Sequence, residues 1–220
     1  MELSYTLQRS QRRSIAIQVT PMGTIIVKAP YLLPKFLIDQ FVHKKASWIH
    51  KKIAVATKFP LQIKNTISEG DTYYFLGSPY VVKIGAFQKI SCSETLNFPR
   101  HLLFRGKIEL TNWYITKAKH IITERIEYFA TRMNTTYRRI SYSDTSSKWG
   151  SCSPDNALQF NWRLVMAPII VLDYVVVHEL AHTKEKNHGP RFWQIVASQK
   201  PAYKHHRAWL KENVNKLQMV

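Results

Sequence analysis

The chain is 220 residues long, 45% hydrophobic and carries a formal net charge of +18 at pH 7, which suits one sizeable core and is short for two. The longest candidate apolar run, 164–177, is interrupted by Pro168 and Asp173 and falls short of the roughly 18 residues that a membrane-spanning helix needs. Cys92 and Cys152 are the only cysteines and lie far apart in sequence, which excludes a disulfide scaffold and a thiolate zinc site.

The opening Met-Glu-Leu-Ser-Tyr has neither the basic and apolar segments of a secretory signal nor an acylation motif. A cytoplasmic protein with reduced thiols and no membrane association is therefore expected. The charge predicts attraction to polyanions, DNA and RNA among them, without naming one. Half of it comes early, since residues 1–65 hold eleven Lys or Arg against Glu2 and Asp39, a net +9.

From Tyr5 to Ala29 the chain alternates, with Ile15, Ile17 and Val19 on one side and a second rise from Thr24 to Lys28 after Pro21-Met22-Gly23. This predicts a hairpin. Pro34 then opens one amphipathic helix, with Phe36, Leu37, Phe41, Ile49 and Ile53 near one face and Lys44, Lys45, Lys51 and Lys52 on the other. A strand pair is predicted over Tyr73–Leu76 and Tyr80–Ile84, joined by Gly77-Ser78-Pro79, with further extended segments up to Leu110. Between Thr111 and Met133 the apolar spacing is helical, with no Gly or Pro inside.

Residues Ala157 to Val165 alternate, with Leu158, Phe160, Trp162 and Leu164 on one face and Gln159, Asn161 and Arg163 on the other, as in a half-buried strand. The polar face of that strand is a place to align an extended peptide by strand addition. Pro168 suits the first turn of a helix running through Leu172, Val176 and Leu180 to about Lys186. Two shorter helices are expected afterwards, from Pro190 to about Ser198 and from about Tyr203 to Leu217, separated by Pro201.

The chemistry lies in Val177-His178-Glu179-Leu180-Ala181-His182, an H-E-x-x-H motif placed on a helix. Residues four apart share a helical face, so His178 and His182 can reach one ion, while Glu179, rotated by about 100°, can face a water beside it. A catalytic zinc needs a third protein ligand and an open fourth position. His188 is the nearest supplier, and Gly189-Pro190 after it predicts a reversal of the chain into the next helix. Lys148 and Arg163 are candidates for stabilising a developing oxyanion. His43, His50, His101 and His120 have no paired spacing. His205 and His206 read as surface residues, with a supporting role beside the metal as the alternative. Cys152 reads as a structural thiol rather than a nucleophile.

Taken together, Lys148-Trp149-Gly150-Ser151-Cys152-Ser153, Phe160-Asn161-Trp162-Arg163-Leu164, Ala167-Pro168, the run Asp173 to His182, Asn187-His188 and Phe192-Trp193 resemble the YgjP-like metallopeptidases. The likeness is densest from Lys148 to Trp193 and looser over the basic N-terminal part. That family is grouped with the WLM and SprT-like zinc peptidases, and the resemblance implies one zinc ion at His178, His182 and His188 with Glu179 as the catalytic base. It also implies a protein or peptide substrate. Some SprT-like and WLM proteases digest proteins bound to DNA, which suits the charge. Two departures stand out: Lys148 where Arg is expected, and Gly189 where Ser commonly follows the third histidine.

The expectation is an α+β, zincin-like metallopeptidase. Residues 1–110 form a basic, β-rich portion with one amphipathic helix, and residues 111–220 form the catalytic portion, continuous with it. One rival is a basic nucleic-acid-binding protein with a structural or degenerate metal site, which predicts salt-sensitive binding and no proteolysis. The other is a zinc hydrolase of small amides or esters. Oligomeric state is not legible.

Overall fold

The computed structural model describes residues 3–20, 23–58, 66–145 and 148–218. The chain divides into two compact units, Met1–Gln62 and Ile63–Val220.

In the first unit, β1 (Thr6–Ser10), β2 (Ala16–Val19) and β3 (Ile25–Pro30) form a sheet of order β1-β3-β2. The expected hairpin is the antiparallel pair β2 and β3, with Ile17 opposite Val27. Pro21 and Met22 of its turn lie outside the described residues, but Gly23 adopts φ 80, which favours glycine. β1 runs parallel to β3 on its other side. Alternation along β3 buries Ile25, Val27 and Ala29 in one cluster with Ile38 and Val42 of α1 (Lys35–Lys44) and Ile49 of α2 (Ala46–Lys58).

The single helix expected after Pro34 is thus two. Lys45 leaves helical geometry at φ −100 and ψ 6, and no Gly or Pro marks the break. The buried face follows the spacing of Ile38, Val42, Ile49 and Ile53, so Phe36, two residues ahead of Ile38, is 68% exposed rather than packed.

The second unit opens with β4 (Thr72–Phe75), β5 (Ser78–Gly85), β6 (Ser91–Cys92) and β7 (Leu96–Pro99), in the order β4-β5-β7-β6. Phe75 pairs with Ser78, so the turn is Leu76-Gly77 and Ser78-Pro79 already belongs to β5. With φ 49 and 87 at these two residues it is a type I′ hairpin turn. Its tip is anchored, because the Leu76 N–H donates to the Val165 carbonyl (2.7 Å) and the Gly77 N–H to that of Met166 (3.2 Å). A β-carbon on Gly77 would lie 2.8 Å from Pro168.

The further extended segments expected up to Leu110 are found in β6 and β7 as far as Pro99, after which the chain forms a 3-10 segment, Arg100–Arg105, and the start of α3 (Gly106–Arg132). Leu110, Tyr114, Ala118, Ile122, Ile126 and Phe129 form its buried face, at the i, i+4 or i+3 spacing that helical packing requires.

A second sheet, β8 (Arg139–Ser143), β9 (Gly150–Cys152) and β10 (Ala157–Asn161), has the order β8-β10-β9. β10 sits in the middle, parallel to β8 and antiparallel to β9. The alternation of 157–165 was expected to continue as strand to Val165, but β10 ends at Asn161 and Trp162–Met166 is 3-10. The Asn161 side chain causes the switch: its oxygen accepts from the Arg163 N–H (2.9 Å) and its amide donates to the Thr145 carbonyl (2.7 Å). Both bonds satisfy a side chain that is buried, not part of an exposed polar face.

Three helices complete the unit: α4 (Ile169–Ala181), α5 (Pro190–Gln199) and α6 (Tyr203–Glu212). α4 ends sooner than expected and is buried almost all round, from Val171 to Val177 and again at Glu179, Leu180 and Ala181, as suits a helix at the centre of a core. Its one buried acid on the N-terminal side, Asp173, is fully paired. Arg125 of α3 grips it bidentately (2.6 and 2.9 Å) and Lys200, after α5, adds a third contact at 2.8 Å. The result is an α+β protein. Among the described residues no helix is long and apolar enough to cross a membrane.

Candidate metal centre

His178 lies in the last turn of α4 and His182 caps it, still in right-handed helical geometry (φ −67, ψ −15). The i, i+4 relation therefore survives to the end of the helix, and both imidazoles leave from one face. Beyond them the chain tightens through N–H bonds from Lys184 and Glu185 to the Ala181 carbonyl (3.1 and 2.9 Å) and brings His188 back. The Nε2 of His188 comes to 3.0 Å from that of His178 and 3.1 Å from that of His182.

The reversal needs no special glycine geometry, contrary to expectation. Gly189 is extended (φ −75, ψ −179) with nothing within 4 Å of a β-carbon placed on it, so the serine expected there would fit. Pro190 does begin α5.

Aromatic packing orients the rings. Phe192, fully buried, lies with its ring centre 4.9, 4.5 and 4.7 Å from those of His178, His182 and His188. Tyr174, one turn before His178 on α4, packs edge-on against it at 5.9 Å. The Trp193 indole N–H donates to the His188 carbonyl at 3.1 Å. His182 is further held by its Nδ1, 3.0 Å from the Glu185 carbonyl, a contact that assigns the proton to Nδ1 and leaves the Nε2 lone pair inward. Nδ1 of His178 is buried without a hydrogen-bond partner among the described residues, so on that edge of the ring only packing acts.

Burial, with smaller contributions from the other histidines and Arg207, pushes the His178 pKa down to about 3. That of His182 is lowered, again chiefly by burial, with the Glu185 carbonyl opposing. Neutral imidazoles are the form that binds metal. Two imidazole nitrogens on one tetrahedral zinc would stand roughly 3.3 Å apart, given bonds of about 2.0–2.1 Å. Among the described residues, His178, His182 and His188 form the one group of side chains arranged to hold an ion, and their donor set fits zinc. His43, His50, His101, His120, His205 and His206 stand outside it; His206 touches only its periphery, 6.3 Å from Tyr174.

Glu179, next to His178 on α4 and rotated from it by about 100°, lies against β9. A β-carbon on Gly150 would lie 2.7 Å from the Glu179 Cγ and Oε1, so the bare glycine is what lets the carboxyl lie against the strand. No periodicity in the sequence marks that role. Burial pushes the Glu179 carboxyl up to about 8, with Lys148 opposing. Lys148 thus supplies the positive charge expected of an arginine at that position.

Arg163 is committed elsewhere, to Asp144 and to the face of Trp162 at 4.2 Å. Cys152 is half-buried, its thiol pKa is raised by burial, and Lys186 stands 3.8 Å from the sulfur. This is a thiol held in the protonated form, the opposite of an activated nucleophile.

Comparisons with known proteins place the chain. No curated protein matches it. The crystal structure of the metallopeptidase zymogen of Methanocaldococcus jannaschii jannalysin is similar over 42% of this chain and 96% of that one, at 20% identity and a TM-score of 0.37. The model of the YgjP-like metallopeptidase domain matches residues 13–213. A match over most of the chain shows the family, and the protein belongs to the YgjP-like metallopeptidases.

Proposed function

We propose that Nε2 of His178, His182 and His188 hold one zinc ion and that Glu179 is the general base of peptide-bond hydrolysis. The observation that carries this reading is the convergence of three imidazole nitrogens, 3.0 and 3.1 Å apart at the closest pairs, beside a carboxyl buried on the same helix. Zinc bound there supplies a Lewis acid that polarises a carbonyl and acidifies water. Glu179 accepts the water's proton at a carboxylate oxygen and returns it to the leaving amine nitrogen, so the products are a carboxylic acid and an amine. Its proton affinity, raised by burial, suits a group that must both take and give a proton near neutral pH.

Substrate alignment shifts from the strand expected to do it. β10 is paired on both sides and has no free edge, whereas β9 is an edge strand. An extended peptide added to β9 would pass Gly150, against which Glu179 lies. Substituting Gly150→Ala is expected to lower kcat by about 100-fold through displacement of Glu179, with zinc content unchanged. Equal kcat in the two proteins, measured on one peptide, would remove β9 from the site.

Every residue given a role here lies in the 111–220 portion, which we read as catalytic, with residues 1–110 as a basic, β-rich portion whose residues from Ile63 onward belong to the same compact unit as 111–220. Substrates are proteins or peptides, and the net charge of +18 supports proteins that are themselves bound to DNA or RNA. Both cysteines are free, in keeping with the reducing cytoplasm we infer as the compartment.

The test is zinc analysis of the purified protein beside peptide and protein cleavage, with and without duplex DNA. Wild type should hold about one zinc per chain, as a three-histidine site does. His188→Ala should weaken zinc more than the roughly 10- to 100-fold that loss of a supporting partner costs. Unaltered zinc affinity in His188→Ala would refute the ligand set. Salt-sensitive DNA binding without cleavage of any substrate would favour the nucleic-acid-binding alternative.

A further inference from the structure

An aromatic stack leads out of the metal centre to α6. The Trp193 ring lies 5.7 Å from that of His188 at an interplanar angle of 25°, and 5.0 Å from that of Tyr203 at 17°. Tyr203 opens α6. Arg207, one turn further along the same face, places its guanidinium carbon 5.5 Å from the Trp193 ring centre.

Arg207 is exposed, and among the described residues no carboxylate lies within ion-pair distance of it. The buried acid on this side, Asp173, is already taken by Arg125 and Lys200. A planar cation with one face on an indole and its donors open to solvent is preorganised for a bidentate anion, and a carboxylate matches that fork.

We propose that Arg207 is a substrate-recognition residue, which holds a carboxylate of the bound peptide against Trp193 on the α6 side of the histidine centre. The assignment rests on the peptidase reading given above. A peptide can bring that group from either of two sources, its own C-terminus or an Asp or Glu side chain. The first would make the enzyme prefer bonds near a free chain end, the second bonds near acidic residues.

The experiment measures binding rather than turnover. Zinc-loaded Glu179→Gln protein, with Arg207 intact or changed to Ala or Lys, is titrated into three fluorescein-labelled octapeptides followed by fluorescence anisotropy. One has no acidic residue and a free C-terminus, one is the same peptide amidated, and one is amidated with a single internal glutamate. With Arg207 present, one or both carboxylate-bearing peptides should bind about ten-fold tighter than the neutral one, the scale of one charge-assisted hydrogen bond. Which peptide gains identifies the source. Arg207→Ala should abolish the gain, and Arg207→Lys, lacking the planar fork, should restore only part of it. Equal or absent binding of all three peptides, or a preference that persists in Arg207→Ala, overturns the assignment. Zinc content and thermal midpoint, read on the same samples, separate failure of the metal centre or of the fold from failure of Arg207.

Discussion

Glu179→Gln is expected to lower kcat for peptide hydrolysis by about 10²- to 10⁴-fold, the range over which a positioned general base contributes, while zinc stays bound. Glutamine has nearly the shape of glutamate and fits beside Gly150, but it cannot accept the proton. It also removes a carboxyl whose ionisation burial opposes, so the thermal midpoint should hold steady or rise. His182→Ala should instead lose zinc and activity together, because its Nε2 lies 3.1 Å from that of His188 within the ligand set we propose. The paired measurement of zinc stoichiometry and initial rate separates base from ligand. Glu179→Gln protein that cleaves within about ten-fold of wild type would assign the proton transfer to another group.

The second large effect is on stability. Asp173→Ala is expected to cost about 3–5 kcal/mol, as breaking a buried ion pair from one side does, and to lower Tm by about 10 °C in a protein of this size. The carboxylate joins three helical regions, receiving Arg125 from α3 at 2.6 and 2.9 Å and Lys200 from the end of α5 at 2.8 Å. Its removal leaves two cations over the Phe129 ring, at 5.3 and 5.1 Å, without their counter-charge. The hydrogen bonds to Asp173 are also what chiefly raises the Arg125 pKa. Changing Arg125, Asp173 and Lys200 together to Met, Leu and Met should recover most of the loss, since apolar groups of similar volume carry no desolvation cost. Urea unfolding of the single and triple variants decides the matter. A single variant within about 1 kcal/mol of wild type would mean that the carboxylate does not clamp α4.

α4 and its histidines were legible in the sequence because everything that specifies them is local. The apolar run after Pro168 demands a buried helix, and four-residue spacing places His178 and His182 on one face of it. Pro190 marked the start of α5 for the same kind of reason, a ring that suits a first helical turn and no later one. The alternation of Leu158 and Phe160 likewise announced β10, though not its end. Apolar Trp162 and Leu164 prolong the alternation, while the decisive event is a single side-chain bond from Asn161 back to the Arg163 N–H.

Tertiary structure alone decided the rest. β8 was unpredicted, and its parallel partner β10 is reached only after β9 has intervened, so no short-range pattern announces the pairing. The central position of β10, which moves the free edge to β9, follows from that long-range choice. The same holds for Phe192 beneath all three imidazoles, for Gly150 yielding space to Glu179, and for the two cations on Asp173. Each joins residues distant in the chain, and hydrophobic periodicity reports only which face a residue turns inward, never which neighbour it finds there.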